Sequence, residues 1–210
     1  MSTQLNETWE AYIKNTGADF VRFVDISSLP EHAKGDYACA VFFGKALTRA
    51  YVKALKAGES PARHEFGETE HAMDALADAL ADKLTAEGYK SVSNLEFARL
   101  PHKTVARMAG FGFIGKNALL INDAYGCAMV LGKVLTAAPF SPMQQAHPKE
   151  SRCGDCSICV DICPKNALSG HPWTPATGVA ELLNEDLCTT CLLCMVHCPH
   201  TERYMNRNAL

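Results

Sequence analysis

The pattern of apolar and polar positions divides the chain into two dissimilar parts. Leu5, Trp9, Tyr12 and Ile13 recur at helical spacing, and Gly17 is placed to end that helix in a left-handed turn. Residues 20–26 (FVRFVDI) are short, aromatic and β-branched, the composition of a strand. Residues 37–43 (YACAVFF) are apolar on both faces, which predicts a strand inside a sheet rather than at its edge. A helix is expected over 46–57, stopped by Gly58. Another is expected over 69–87, where Met73, Leu76, Leu80 and Leu84 form one stripe, Asp74, Asp78, Asp82 and Lys83 face water, and Gly88 ends the run. Residues 127–135 (CAMVLGKVL) read as a second buried strand. These elements predict an α/β domain over 1–145, a sheet covered by helices.

The pattern then breaks. Residues 141–152 are polar, contain Pro142 and Pro148, and suit a linker or surface crossing. Beyond them the region 146–210 is dominated by cysteine. Eight of the chain's 10 cysteines lie between Cys153 and Cys198. Dense cysteines suggest a disulfide scaffold in a secreted chain, but the N-terminus lacks a basic start followed by an apolar stretch. No apolar run approaches the roughly 18 residues of a membrane helix, so a cytoplasmic protein without a membrane partner is expected. The net charge of −3 weighs against a strongly basic nucleic-acid binder.

The cysteines form an internal repeat. Cys153, Cys156, Cys159 and Cys163 precede Pro164; Cys188, Cys191, Cys194 and Cys198 precede Pro199; the copies are offset by 35 residues. Both read C-x₂-C-x₂-C-x₃-C-P. Three thiolates from one tight turn grip three corners of a cubane, and the fourth reaches the other cluster. Two [4Fe–4S] clusters are therefore expected, one on Cys153, Cys156, Cys159 and Cys198, the other on Cys188, Cys191, Cys194 and Cys163. A zinc ribbon is the structural alternative, but its four-ligand sites leave the third cysteine and the C-P ending unexplained. Cys39 and Cys127 fall outside both motifs, in apolar runs, and read as packed, unreactive thiols.

One other stretch is unusual. In residues 107–117 (RMAGFGFIGKN), Gly110, Gly112 and Gly115 alternate with Phe111, Phe113 and Ile114. Such a segment lets backbone approach a ligand while the aromatic side chains anchor the loop. Gly112, Gly115, Lys116 and Asn117 are the candidate cofactor contacts, Tyr125 and His102 flank the same region, and a tight turn feeding a helix is the alternative.

Residues 102–136 (HKTVARMAGFGFIGKNALLINDAYGCAMVLGKVLT) followed by 152–168 (RCGDCSICVDICPKNAL) resemble epoxyqueuosine reductase, a family related to the reductive dehalogenases. The likeness is strong over about 96–168 and loose before it. It implies a nitroreductase-like α/β domain holding a cobalamin, followed by a bacterial-type ferredoxin domain with two [4Fe–4S] clusters. Electrons would pass from an external flavodoxin, ferredoxin or reductase through the clusters to cobalt. The family removes an epoxide oxygen from a modified tRNA nucleoside, so a nucleoside or other small-molecule substrate is expected. Glu96 falls where the family carries a catalytic aspartate, though its neighbours differ. The chain reads as a truncated form that stops at Leu210, before the helical structure the family uses with tRNA, which weighs against tRNA as a partner. The alternative function is a non-catalytic, ferredoxin-like electron-transfer protein that docks a redox partner. A flavin in the same α/β pocket is a third reading.

Overall fold

The computed structural model describes residues 2–93, 100–142, 150–174 and 176–207. In chain order the elements are α1 (Ser2–Asn15), β1 (Phe20–Asp25), α2 (Glu31–Lys34), β2 (Cys39–Ala46), α3 (Arg49–Lys56), α4 (Glu65–Ala86), β3 (Ser91–Ser93) and α5 (His102–Met108). There follow β4 (Phe113–Ile114), β5 (Leu120–Ile121), β6 (Met129–Thr136), α6 (Ile158–Asp161), α7 (Val179–Leu182), α8 (Leu193–Val196) and α9 (Pro199–Asn206). Among the described residues no helix is long and apolar enough to cross a membrane.

The chain forms two compact units that interleave along the sequence. The first comprises Met1–Ala46, Glu65–Phe111 and Val130–Pro148; the second comprises Leu47–His64, Gly112–Met129 and Lys149–Leu210. The boundary expected between 145 and 146 lies outside the described residues. Two segments upstream of it group with the cysteine-rich region.

The first unit is built on a four-stranded sheet of order β1-β2-β6-β3. The strands read as buried runs are its two interior strands, and Ala40, Val41, Phe42, Phe43, Val134 and Leu135 are fully enclosed. β1 pairs antiparallel with β2, Phe20 opposite Gly44 and Asp25 opposite Cys39. α4 buries Met73, Leu76, Leu80 and Leu84, the stripe read from the sequence, and packs against β3 and β2. Its end is closed by Gly88 at φ +91°, with the Tyr89 amide donating to the Leu84 carbonyl at 2.9 Å. α1 lays Trp9 edge-on against Phe140 at 6.4 Å, and Phe140 meets Phe23 at 4.4 Å. Cys39, buried in β2, behaves as a packed thiol: burial pushes its pKa up to about 12.

In the second unit, α3 packs against α8 and α9, and the Tyr204 hydroxyl donates to the buried Leu47 carbonyl at 2.7 Å. The glycine-rich stretch splits. Its Gly110 ends α5 at φ +61° in the first unit, while Gly112 onward forms the β4–β5 hairpin of the second. The two cysteine repeats face each other through α6 and α8, and the segments behind them join at the Leu168–Leu183 bridge. Ile114, Ala118 and Leu182, flanked by Trp173 and Leu183, make a small core under the hairpin.

Candidate metal centres

The second unit holds two cysteine-lined cavities. One, of about 200 Å³, is lined by Cys153, Cys156, Cys159 and Cys198. Its turn is tight because Gly154 takes φ +49° and the Cys156 amide donates to the Cys153 carbonyl at 2.9 Å. Lys116 clamps that turn, its ammonium donating to the carbonyls of Gly154 at 2.8 Å and Cys156 at 3.2 Å. Cys198 arrives from the other repeat as the N-cap of α9, with Pro199 at the first helical position, where its missing N–H costs little. Lys116, Arg152, His200 and Arg203 also line this cavity.

The other cavity, of about 100 Å³, is lined by Cys163, Cys188, Cys191 and Cys194. Its turn uses side-chain-bearing residues in left-handed conformation, Thr190 at φ +51° and Leu192 at φ +63°. The walls are mainly apolar, Leu119, Ala167, Leu168, Leu183 and Leu192, with Lys165 also in the lining. Cys163, the fourth cysteine of the first repeat, accepts a hydrogen bond from the Ala167 amide at 3.3 Å. Among the described residues no three His, Cys, Asp or Glu side chains close around a single ion position; the thiols ring open cavities instead.

Crowding of thiols is visible in their acidity. Burial first, then repulsion from Cys153, Cys198 and Cys156, pushes the Cys159 thiol up to about 11. Burial first, then repulsion from other cysteines that include Cys191, Cys188 and Cys163, pushes Cys194 up to about 12. Cys198 moves the other way. The Cys127 thiol is its main stabilising partner, and the first free N–H groups of α9, at His200 and Thr201, favour its thiolate without closing a capping bond.

The remaining candidate residues are placed as follows. A Cβ on Gly112 would lie 2.2 Å from the Ile121 carbonyl oxygen, and one on Gly115 would lie 2.7 Å from Asn117 Oδ1. The space beside both glycines is thus filled by their own hairpin. Asn117 is buried, lines both cysteine cavities, and donates from Nδ2 to the Cys194 carbonyl at 3.3 Å. Glu96 lies in 94–99, outside the described residues. Tyr125 stacks edge-on with Tyr204 at 5.8 Å. His102 belongs to the first unit, where burial, followed by Lys133 and Lys103, lowers its pKa to about 4. Sequence reading missed Cys127, Thr201, Arg152 and Arg203 as site residues. Thr201 was open to detection, as the third residue of a helix beginning at Cys198-Pro199; the others carry no local signal.

A mixed helix-and-sheet protein with a 4Fe–4S dicluster domain is the class these features define, and a family profile described as a 4Fe–4S dicluster domain matches residues 152–201. The chain is epoxyqueuosine reductase-like: the enzyme of Staphylococcus aureus (strain NCTC 8325) is 33% identical over 182 residues, covering 80% of this chain and 46% of that protein. The resemblance read from the glycine loop and the first cysteine motif is therefore borne out. The chain spans about half the length of this relative. In fold it matches an epoxyqueuosine reductase solved with an epoxyqueuosine-modified tRNA stem loop, with a TM-score of 0.62 at 19% identity over 96% of this chain and 66% of that one. It also matches a reductive dehalogenase described in terms of B12-dependent dehalogenation, with a TM-score of 0.60 at 19% identity over 74% of this chain and 25% of that one.

Proposed function

We propose that the chain is an iron–sulfur oxidoreductase that moves low-potential electrons through two [4Fe–4S] clusters. One is held by Cys153, Cys156, Cys159 and Cys198, the other by Cys188, Cys191, Cys194 and Cys163. The observation that carries this reading is the grouping of the thiols: each cavity takes three cysteines from one repeat and the fourth from the other. A zinc ion would gather its thiolates about 2.3 Å from one point, whereas thiols spread around a cavity suit a group offering separate irons. Burial and crowding hold Cys159 and Cys194 as thiols, and a cationic guest offsets that penalty by taking them as thiolates and releasing their protons.

When bound, the clusters supply one-electron transfer at low potential. The protein's own groups do the rest. Lys116 fixes the first turn through two carbonyls, the start of α9 brings Cys198 to the first cavity, and leucine side chains line the second, whose Cys188 and Cys191 are exposed.

The reading extends to a cobalamin in a nitroreductase-like first unit, an external electron donor, a nucleoside or other small-molecule substrate, and a cytoplasmic setting. Support comes from the epoxyqueuosine reductase and B12-dependent dehalogenase relatives. Glu96 is the proposed general acid. No contact to the corrin is assigned, because Gly112 and Gly115 pack within their hairpin and Lys116 and Asn117 are committed to the cysteine cavities. That commitment favours a second reading, an electron-transfer protein that docks a redox partner.

Anoxic purification, iron and sulfide analysis, and absorption spectra with and without added cobalamin test these readings together. About eight irons per chain and a corrin band retained through gel filtration are expected. Zinc, or about four irons, overturns the two-cluster reading. Eight irons without retained corrin favours the electron-transfer protein.

A further inference from the structure

Lys116 and Asn117 are neighbours in sequence, yet they serve different cysteine motifs. They sit at the tip of the β4–β5 hairpin, which lies outside both repeats. The Lys116 ammonium donates to the carbonyls of Gly154 at 2.8 Å and Cys156 at 3.2 Å, in the first repeat. Asn117 Nδ2 donates to the carbonyl of Cys194 at 3.3 Å, in the second. α8, which carries Cys194, is four residues long and too short to satisfy its own last carbonyls, so the Asn117 donor meets a need of that helix. Asn117 is 4% exposed, so its amide has little water to exchange for that bond. The tip is shaped to hold the pose. The Leu119 amide donates to Asn117 Oδ1 at 3.2 Å, which engages both ends of the side-chain amide. Ala118 takes φ +57°, a left-handed backbone that disfavours a residue with a side chain. Gly115 leaves the room, since a Cβ there would sit 2.7 Å from Asn117 Oδ1.

We propose that Lys116 and Asn117 are a pair of positioning residues: from one hairpin tip they hold the first repeat's turn and the second repeat's helix in register, and so fix the separation and orientation of the two clusters. The inference rests on the reading that each cavity holds a cluster. Consecutive side chains on one constrained turn have little freedom to move apart, so a shift of one motif is carried to the other. The repeats also meet through α6 and α8 and at the Leu168–Leu183 bridge. The hairpin differs in gripping the backbone of both cysteine motifs at once, through the Cys156 and Cys194 carbonyls. Lys116 and Asn117 are not ligands; they act on the residues that are, as partners around a metal site orient its ligands. The dipolar coupling of two paramagnetic clusters falls with the cube of their separation and depends on its direction. It therefore reads the register of the two motifs, which iron content alone does not.

Electron paramagnetic resonance of anoxically purified full chain, reduced until both clusters are paramagnetic, reads the coupling as a splitting absent from half-reduced protein. Wild type with about eight irons is expected to show a resolved splitting. Asn117→Ala removes the donor to Cys194 and is expected to keep about eight irons while the splitting is lost into a broadened line, because the two motifs then take a range of separations. Lys116→Met keeps the apolar stem without the ammonium. It is expected to lose the splitting as well, and supplies the measurement if Asn117→Ala fails to accumulate. Lys116→Arg, which restores donors to the turn, is expected to recover it. Lys56→Met removes a cation of the same unit that pairs with Glu202 at 2.7 Å, and is expected to leave the splitting as in wild type. An unchanged splitting in Asn117→Ala and Lys116→Met overturns the positioning role, as does an equal loss in Lys56→Met. Loading of only about four irons in both hairpin variants also overturns it, since each residue then closes its own motif and no more. Wild type with about eight irons and no splitting overturns this inference and leaves the two-cluster reading standing, whereas wild type without about eight irons overturns both.

Discussion

The two cysteine cavities have the same ligand spacing and different surroundings. The first is edged by Lys116, Arg152, His200 and Arg203; the second is walled mainly by leucine and alanine side chains, with Lys165 as the cation in its lining. The fourth cysteine of each differs as well. Cys198 opens an eight-residue helix whose N-terminal dipole favours a thiolate, while Cys163 is followed by a turn. Nearby cations and helix N–H groups stabilise the reduced state of a cluster, and an apolar wall opposes it. A duplicated motif can therefore yield two electron sites of unequal potential. The repeat supplies the ligands, and segments outside the repeat supply the difference.

The largest effect expected is loss of a cluster, and it tests the crossed arrangement directly. Cys163→Ala, a change in the first repeat, is expected to abolish the [4Fe–4S] signal belonging to the second, and Cys198→Ala the signal belonging to the first. Iron analysis and electron paramagnetic resonance check this. A Cys163 variant that loses the first cluster instead breaks the comparison at its root.

Next in size is an acid effect in the first unit, which separates folding losses from redox differences. The folded pKa of His102, about 4, lies below its ordinary value of 6.5. Between those values the unfolded chain binds more protons, so stability rises with pH across that window and falls as the solution is acidified toward pH 4. His102→Gln is expected to remove at most about 2 kcal/mol of this acid sensitivity, read by denaturant unfolding at pH 5 and pH 7. The gap between the two midpoints at pH 7 is expected to stay as in the wild type.

Removing cations from the first cavity comes third. Arg152→Gln combined with Arg203→Gln is expected to lower the first midpoint by about 59 mV, a tenfold change in the reduction equilibrium. The gap between the two midpoints then narrows. Arg152 also pairs with exposed Asp123, so part of its charge is already offset and the shift is expected to shrink in high salt. A second midpoint that falls as far as the first would show that these charges act on the whole unit.

Much of this was legible in the chain. The stripe on α4, the interior strands and all eight repeat cysteines follow from periodicity and spacing, because those signals are local. The glycine stretch was legible as a tight segment, but its direction was not. The space beside Gly112 and Gly115 is filled by Ile121 and Asn117, and the segment feeds the β4–β5 hairpin rather than the expected helix. The short elements β3 and α5 went unread, having too few residues to show a period. Cys127 looked like any apolar-run thiol. Its partners Thr201 and Asn117 are 74 and 10 residues away, and only the fold brings them together.

The smallest effect expected separates the two turns. Gly154 holds φ +49° without a side chain, whereas the second repeat holds φ +51° at Thr190, a β-branched residue that favours negative φ. Left-handed backbone costs a residue with a side chain roughly 1 kcal/mol, so the second turn carries a strain that the first avoids. Thr190→Gly removes that strain but gives the unfolded chain more freedom, and the two changes largely cancel. Gly154→Ala adds strain that the reduced freedom of the unfolded chain offsets only in part, in a turn that Lys116 clamps through the Gly154 carbonyl. Gly154→Ala is therefore expected to lose about 1 kcal/mol and to release iron from the first cavity sooner under chelator, while Thr190→Gly stays within about 0.5 kcal/mol of wild type. Chelator-release kinetics of the two variants, followed by absorbance, check the pair. If Thr190→Gly releases iron faster than Gly154→Ala, the difference between the cavities lies in their turns rather than in the charges around them.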